Sequence, residues 1–155
     1  MSETKTTVWQ SLMDSAYEKR ADSKHEFMAS LQGVERAAVL LGNLNYQVEN
    51  GGIQQFVDNG YGCYVQQLLG VLADIGTPSC LELAKRVREF TKCWMKKGST
   101  DRGFLGDYWN IRNDNEEQWE SMLVMADEFD EFFYESSFHD RFMADVEAFL
   151  TGLVK

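Results

Sequence analysis

Apolar side chains recur along most of this chain at three- and four-residue intervals, the spacing of one face of an α-helix, and sustained apolar/polar alternation is nearly absent. Trp9, Leu12, Met13, Ala16 and Tyr17 mark a first amphipathic helix, and Phe27, Met28 and Leu31 a short second one. Val34, Ala37, Ala38, Leu41, Leu44 and Val48 predict a third, which should stop at Asn50-Gly51-Gly52, where the residues tolerate positive φ. Ile53 to Asp58 reads as a short helical piece closed by Asn59-Gly60-Tyr61-Gly62. Tyr64, Leu68, Val71, Leu72 and Ile75 carry the next helix.

Gly76-Thr77-Pro78 is punctuation, with Thr77 suited to cap and Pro78 to the first helical position. The helix that follows should run to about Lys97. Gly98 to Asn113 contains Gly98, Gly103 and Gly106 without a helical period, so it reads as the longest loop, pinned by Phe104, Tyr108 and Trp109. Asn113 or Asp114 is expected to cap a helix striped by Trp119, Met122, Leu123, Ala126, Phe129 and Phe133. Ser137 with Asp140 resembles a capping box, opening a last helix that turns Phe142, Val146, Phe149, Leu150 and Leu153 inward. The expected fold is all-α: one compact domain over residues 1–155, of about seven or eight helices, with no linker, repeat or low-complexity tract.

A chain of 155 residues can bury roughly 70% of its extended surface, enough for a core without staples. Hydrophobic content of 44% and aromatic content of 13% are too high for a disordered acidic tail. Cys63, Cys80 and Cys93 are odd in number and form no C-x-x-C pair, so neither a disulfide framework nor a zinc site is indicated, and a reducing cytoplasm is the expected home. The N-terminal residues lack a basic segment followed by an apolar run, and no stretch nears the ~20 apolar residues of a membrane span. Export or membrane anchoring is therefore not expected.

Charge changes this picture. Met1 to Asn113 holds thirteen Asp/Glu against thirteen Lys/Arg, whereas Asp114 to Lys155 holds twelve acids against Arg141 and Lys155 alone, so the net −10 is local. Those acids are Asp114, Glu116, Glu117, Glu120, Asp127, Glu128, Asp130, Glu131, Glu135, Asp140, Asp145 and Glu147. Like charges at i, i+3 or i+4 repel by a few tenths of a kcal/mol each, and the chain repeats them with almost no intervening cation. Such a field repels nucleic acid and attracts proteins whose surfaces are built to meet rows of phosphates. Acids near helix N-termini complement the helix dipole, which accounts for Glu116, Glu117 and Asp140 but not for Asp127 to Glu135. A plainer reading is a solvated polar face, with Lys85, Arg86, Arg88, Lys92, Lys96 and Lys97 packed beside the acids to neutralise them.

The run from Leu44 to Gly62 contains Asn50, Gly51, Gly52, Gln55, Phe56 and Asn59 in an N-G-G-x-x-Q-aromatic-x-x-N order. This resembles the signature of a bacterial family long catalogued as a domain of unknown function, whose best-described member is a DNA-mimic protein. Val71 to Gly76 is similar to the family's A-L-x-x-I-G segment, and Phe129 to Tyr134 to its L-D-x-x-F-Y segment, with Phe129 in place of Leu. The resemblance spans roughly Val34 to Leu150. It implies an all-helical homodimer whose acidic surface imitates duplex DNA and occupies a DNA-binding protein with a basic surface, such as a transcription regulator or a defence nuclease or CRISPR effector. The motif residues read as structural, the glycines making a turn and Gln55 and Asn59 bonding loop backbone.

Catalysis has thin support. His25 and His139 are the two histidines, neither in an H-E-x-x-H arrangement, and a His139-Asp140 pair with Cys63 or Cys93 lacks any local signature. Gly60-Tyr61-Gly62 is half a dinucleotide fingerprint without a preceding strand, and Asp127 with Glu131 lacks the Glu-x-x-His of helical metal sites. No cofactor, metal, membrane or direct nucleic-acid contact is expected. The alternative to mimicry is an immunity protein or other inhibitor that caps a basic toxin or nuclease without imitating DNA.

Overall fold

The computed structural model describes residues 6–19, 23–92 and 101–155, and of 24–25 and 101–107 the backbone alone. Among the described residues the chain forms eight α-helices and one short 3₁₀ turn, with no strand: α1 (Val8–Tyr17), α2 (Lys24–Ser30), α3 (Gly33–Asp58), the 3₁₀ turn Tyr61–Tyr64, α4 (Val65–Ile75), α5 (Pro78–Thr91), α6 (Asp101–Asp114), α7 (Glu116–Tyr134) and α8 (Ser136–Leu153). None of these helices is long and apolar enough to cross a membrane.

The middle of α3 is the hub. Every residue from Ala37 to Leu44 is buried, and all but Asn43 are apolar or glycine, so this stretch must be enclosed by other helices. α1, α4, α7 and α8 supply that enclosure, and α5 closes the far side against α4, α7 and α8. Leu41, Leu44, Leu72, Phe133, Phe142 and Leu150 lie fully buried at the centre. Phe129, Phe133, Phe138 and Phe142 form an aromatic seam between α7 and α8, with successive ring centroids 5.9–6.2 Å apart. Pairs at this spacing add about 0.5–1.5 kcal/mol beyond their buried area.

The expected stop at Asn50-Gly51-Gly52 is a sharp kink. Gly51 and Gly52 leave helical geometry, Gly52 with φ +82°, and the chain re-enters a helix at Ile53. A Cβ at Gly52 would sit 2.3 Å from Asp130 Oδ2, so both backbone sign and space require glycine there. Gln55 and Asn59 are bonded across the kink. Their amide nitrogens donate to Gln47 Oε1 at 2.8 and 2.7 Å, tying the helical piece after the kink to the one before it.

The glycine-containing segment expected to be a loop is helical over Asp101–Asp114. Gly103 and Gly106 each disfavour a helix by about 1 kcal/mol, but tertiary contacts override that preference. Tyr108 is fully buried, edge-on to Trp119 at 5.6 Å; its hydroxyl donates to Asp58, and Arg112 pairs with the same carboxylate at 3.1 Å. Trp109, expected to help pin the segment, stays exposed. The side chain of Phe104, and residues 93–100 with the expected end of the fifth helix near Lys97, lie outside the described residues.

Three helix starts also differ from expectation. Asn115, rather than Asn113 or Asp114, caps α7, its Oδ1 accepting the Gln118 N–H at 3.0 Å. α8 begins at Ser136, and the Ser137 hydroxyl donates back to the Glu135 carboxylate instead of capping forward. Pro78 occupies the first turn of α5 as expected, while Thr77 makes no side-chain capping bond.

Candidate functional site

Asn115 starts α7 in a fixed register, and the burial of Met122, Ala126, Phe129 and Phe133 sets which side faces the core. At about 100° per residue, the exposed acids Glu116, Glu117, Glu120, Asp127, Glu128 and Glu131 then fall within one arc of about 120° on the opposite side. Glu135, at the end of the helix, continues the same arc and is exposed too. Asp114 and Asp140 are exposed at the neighbouring helix ends. Nine of the twelve predicted acids therefore face outward: Asp114, Glu116, Glu117, Glu120, Asp127, Glu128, Glu131, Glu135 and Asp140.

The other three turn inward, and each meets the start of a helical segment elsewhere. Asp130 Oδ1 accepts the Ile53 N–H at 2.8 Å, where α3 resumes after its kink. Asp145 accepts the Ser79 hydroxyl at 2.6 Å in the first turn of α5. Glu147 takes the N–H groups of Val8 and Trp9 at 2.6 and 3.1 Å, satisfying two of the unpaired donors that open α1. A carboxylate at a helix start also meets the positive end of the dipole, so these three serve as tertiary locks. Burial raises the pKa of Asp130 above the ordinary Asp value, the Ile53 bond works against that shift, and the charge of Asp127 adds to it.

The described cations do not clasp the acidic arc. Among the described residues, no Lys or Arg lies within 4 Å of an α7 carboxylate. Arg86 pairs with Glu82 in its own helix at 3.1 Å and places its guanidinium 4.5 Å over the Phe132 ring. Lys85, Arg88 and Lys92 are exposed. Arg112, nearest in sequence to the start of α7, is held by Asp58 and lies over Trp109 and Trp119. Lys96 and Lys97 lie outside the described residues.

Sequence reasoning passed over Val124. It is 58% exposed between the two acidic groups of α7, at an angle inside their arc, so the face is two clusters of carboxylates about a neutral centre. Its signal was an apolar residue set off the helical stripe. The motif residues form the kinked corner of α3: Phe56 is buried and stacked on Tyr61 at 5.7 Å, Asn50 is exposed, and a Cβ at Gly51 would overlap the Gln55 side chain.

The candidate catalytic groups are engaged elsewhere. His139 Nε2 lies 3.0 Å from Asn45 Oδ1 and 3.1 Å from Glu49 Oε1. Cys63 and Cys80 are buried; burial pushes the Cys80 pKa up, away from the reactive thiolate. Cys93 and the side chain of His25 lie outside the described residues.

The family model described as DMP19-like protein matches residues 29–152. The chain belongs to that family. It is the DNA-mimic family that the N-G-G-x-x-Q segment resembles, and it is not a family of enzymes. The match takes in α3 to α7 whole and nearly all of α8, but leaves α1 outside. Comparison with curated proteins and with solved structures finds no match.

Proposed function

We infer that this protein is an acidic DNA mimic that inhibits a DNA-binding protein by occupying its DNA site. The observation carrying this reading is the arc of exposed carboxylates along α7, on the side away from the core and without a cation within 4 Å among the described residues. From Glu116 to Glu131 the arc runs about 22 Å at 1.5 Å per residue. Phosphates follow one strand of a duplex every ~3.4 Å, so this line covers the length of about six of them. The target is a protein with a basic surface, a transcription regulator or a defence nuclease, and neither nucleic acid nor membrane is a direct partner. The setting is cytoplasmic, in keeping with the buried free thiol of Cys80.

One line of carboxylates imitates one strand. α8 adds Asp140 alone to the outward acids, beside Arg141, because Asp145 and Glu147 serve the fold. The second strand is best supplied by a second copy of the chain, which makes the active form a homodimer. Light scattering at micromolar concentration should return twice the mass of the 17.8 kDa chain.

The test begins with the partner recovered on the tagged protein from its native host, followed by competition with a labelled duplex. Wild-type protein should displace the duplex, and Glu120→Lys with Asp127→Lys and Glu131→Lys should abolish displacement while leaving the helical circular dichroism intact. If a ternary complex with DNA forms instead, the protein is an inhibitor of the immunity type and not a mimic.

A further inference from the structure

A cavity of about 460 Å³ opens where α1 packs on α3 beside the 3₁₀ turn, away from the acidic arc. Its floor is polar. Asn43 and Gln47 stand one helical turn apart on α3, 6% and 7% exposed, and both line the space. Asn43 Oδ1 accepts the Tyr17 hydroxyl at 3.0 Å, and Gln47 Oε1 accepts from Gln55 and Asn59. Both amide oxygens are thus in use, while neither amide NH₂ group has a hydrogen-bond partner among the described residues. A buried unpaired donor costs about 1–3 kcal/mol, and folds rarely keep one without a reason. The kink calls for the Gln47 oxygen, but at 43 an apolar residue would close the seam between α1 and α3, as at Ala38, Leu41, Leu44 and Val48.

The remaining walls say what would satisfy those donors. Trp9, Tyr17 and Tyr61 offer flat aromatic surface, and Met13 and Met143 offer adaptable thioethers. Glu49 at the rim is the one charged lining residue among those described, which opposes phosphates and carboxylates. The volume lies within the range of small-molecule sites. Amide side chains read the polar edges of nucleobases, and aromatic side chains stack on their faces.

We propose that this cavity is a binding site for an uncharged, flat heterocycle of nucleoside size, whose carbonyl or ring-nitrogen acceptors take the free N–H groups of Asn43 and Gln47. The site is independent of the acidic surface. Its α1 wall, with Trp9, Met13 and Tyr17, also lies outside the residues that the family model matches.

Uridine is the probe, with uridine 5′-monophosphate as its charged counterpart, titrated into the full chain and followed by ¹H–¹⁵N NMR. Uridine should shift the side-chain NH₂ resonances of Asn43 and Gln47 saturably, and the monophosphate should bind at least tenfold more weakly. Asn43→Asp and Gln47→Glu keep an acceptor for Tyr17 and for Gln55 and Asn59 but turn the free donor into a carboxylate oxygen, so each should weaken uridine at least tenfold. Gly42→Ala attacks the same space without touching a donor: a Cβ there would lie 2.0 Å from Met13 Sδ, forcing that side chain to move, and uridine binding should fall again. The proposal is overturned if uridine gives no saturable shift at these two amides, if the monophosphate binds equally well, or if both donor variants, folded by circular dichroism, retain wild-type affinity.

Discussion

At the residue scale, what separates a carboxylate that serves the surface from one that serves the fold is whether a backbone donor waits beside it. Asp130 sits among the acids of α7 yet accepts the Ile53 N–H at the kink of α3. Desolvation raises its pKa, so the folded state holds that proton more tightly than the unfolded chain does. Ionisation therefore weakens the fold as pH rises through the folded pKa, and the deficit is absent in acid. Asp130→Asn keeps an acceptor for Ile53 and removes the charge. It should raise the midpoint of thermal unfolding at neutral pH and lose that gain as pH falls into the carboxylic range. Asp130→Ala, which leaves the Ile53 N–H without its partner, should cost about 1–3 kcal/mol in urea unfolding at either pH. Equal loss in both variants at neutral pH would show that the charge itself holds the corner.

At the element scale, the helix that escaped the sequence is the one built from distant contacts. α6 has two glycines and little apolar period, and what secures it is Tyr108 reaching Asp58, fifty positions earlier in the chain. Tyr108→Phe keeps the ring and removes the bond to a carboxylate, so it should cost about 1.5–3 kcal/mol in urea unfolding and speed amide exchange through α6 first. The better-read elements are those whose stripe is local: Trp9 to Ala16 and Met122 to Phe133 announce their buried faces by spacing alone, although Tyr17, at the end of the first stripe, is exposed. The same holds for the acids. On α7, Asp130 falls about 70° from the middle of the buried stripe, whereas Glu116, Glu117, Glu120, Asp127, Glu128 and Glu131 fall about 110° or more away, so the wheel distinguishes a flank from a face. That Glu147 would reach the start of α1, or Asp145 that of α5, follows only from tertiary packing, which spacing does not contain.

At the scale of the whole molecule, the net −10 is a choice with a measurable cost. Glu116–Glu120, Glu117–Glu120, Asp127–Glu131 and Glu128–Glu131 are like-charged pairs at helical spacing, each unfavourable by a few tenths of a kcal/mol, or about 1–2 kcal/mol together. The dipole at the start of α7 offsets part of this for Glu116 and Glu117, but not for the second cluster. Replacing Glu120 and Glu131 by Gln and Asp127 by Asn should therefore stabilise the fold by about 1 kcal/mol at low ionic strength. The gain should fade towards about 1 M salt, where the screening length shrinks to ~3 Å. Affinity for the partner should move the opposite way, falling sharply at low salt, because the same carboxylates supply both the repulsion within the chain and the attraction across the interface. An ordinary solvated face predicts the same gain in stability with no loss of binding. Stability rising while binding falls, in one variant and with one salt dependence, is the signature of a surface kept acidic for a partner and not for the fold.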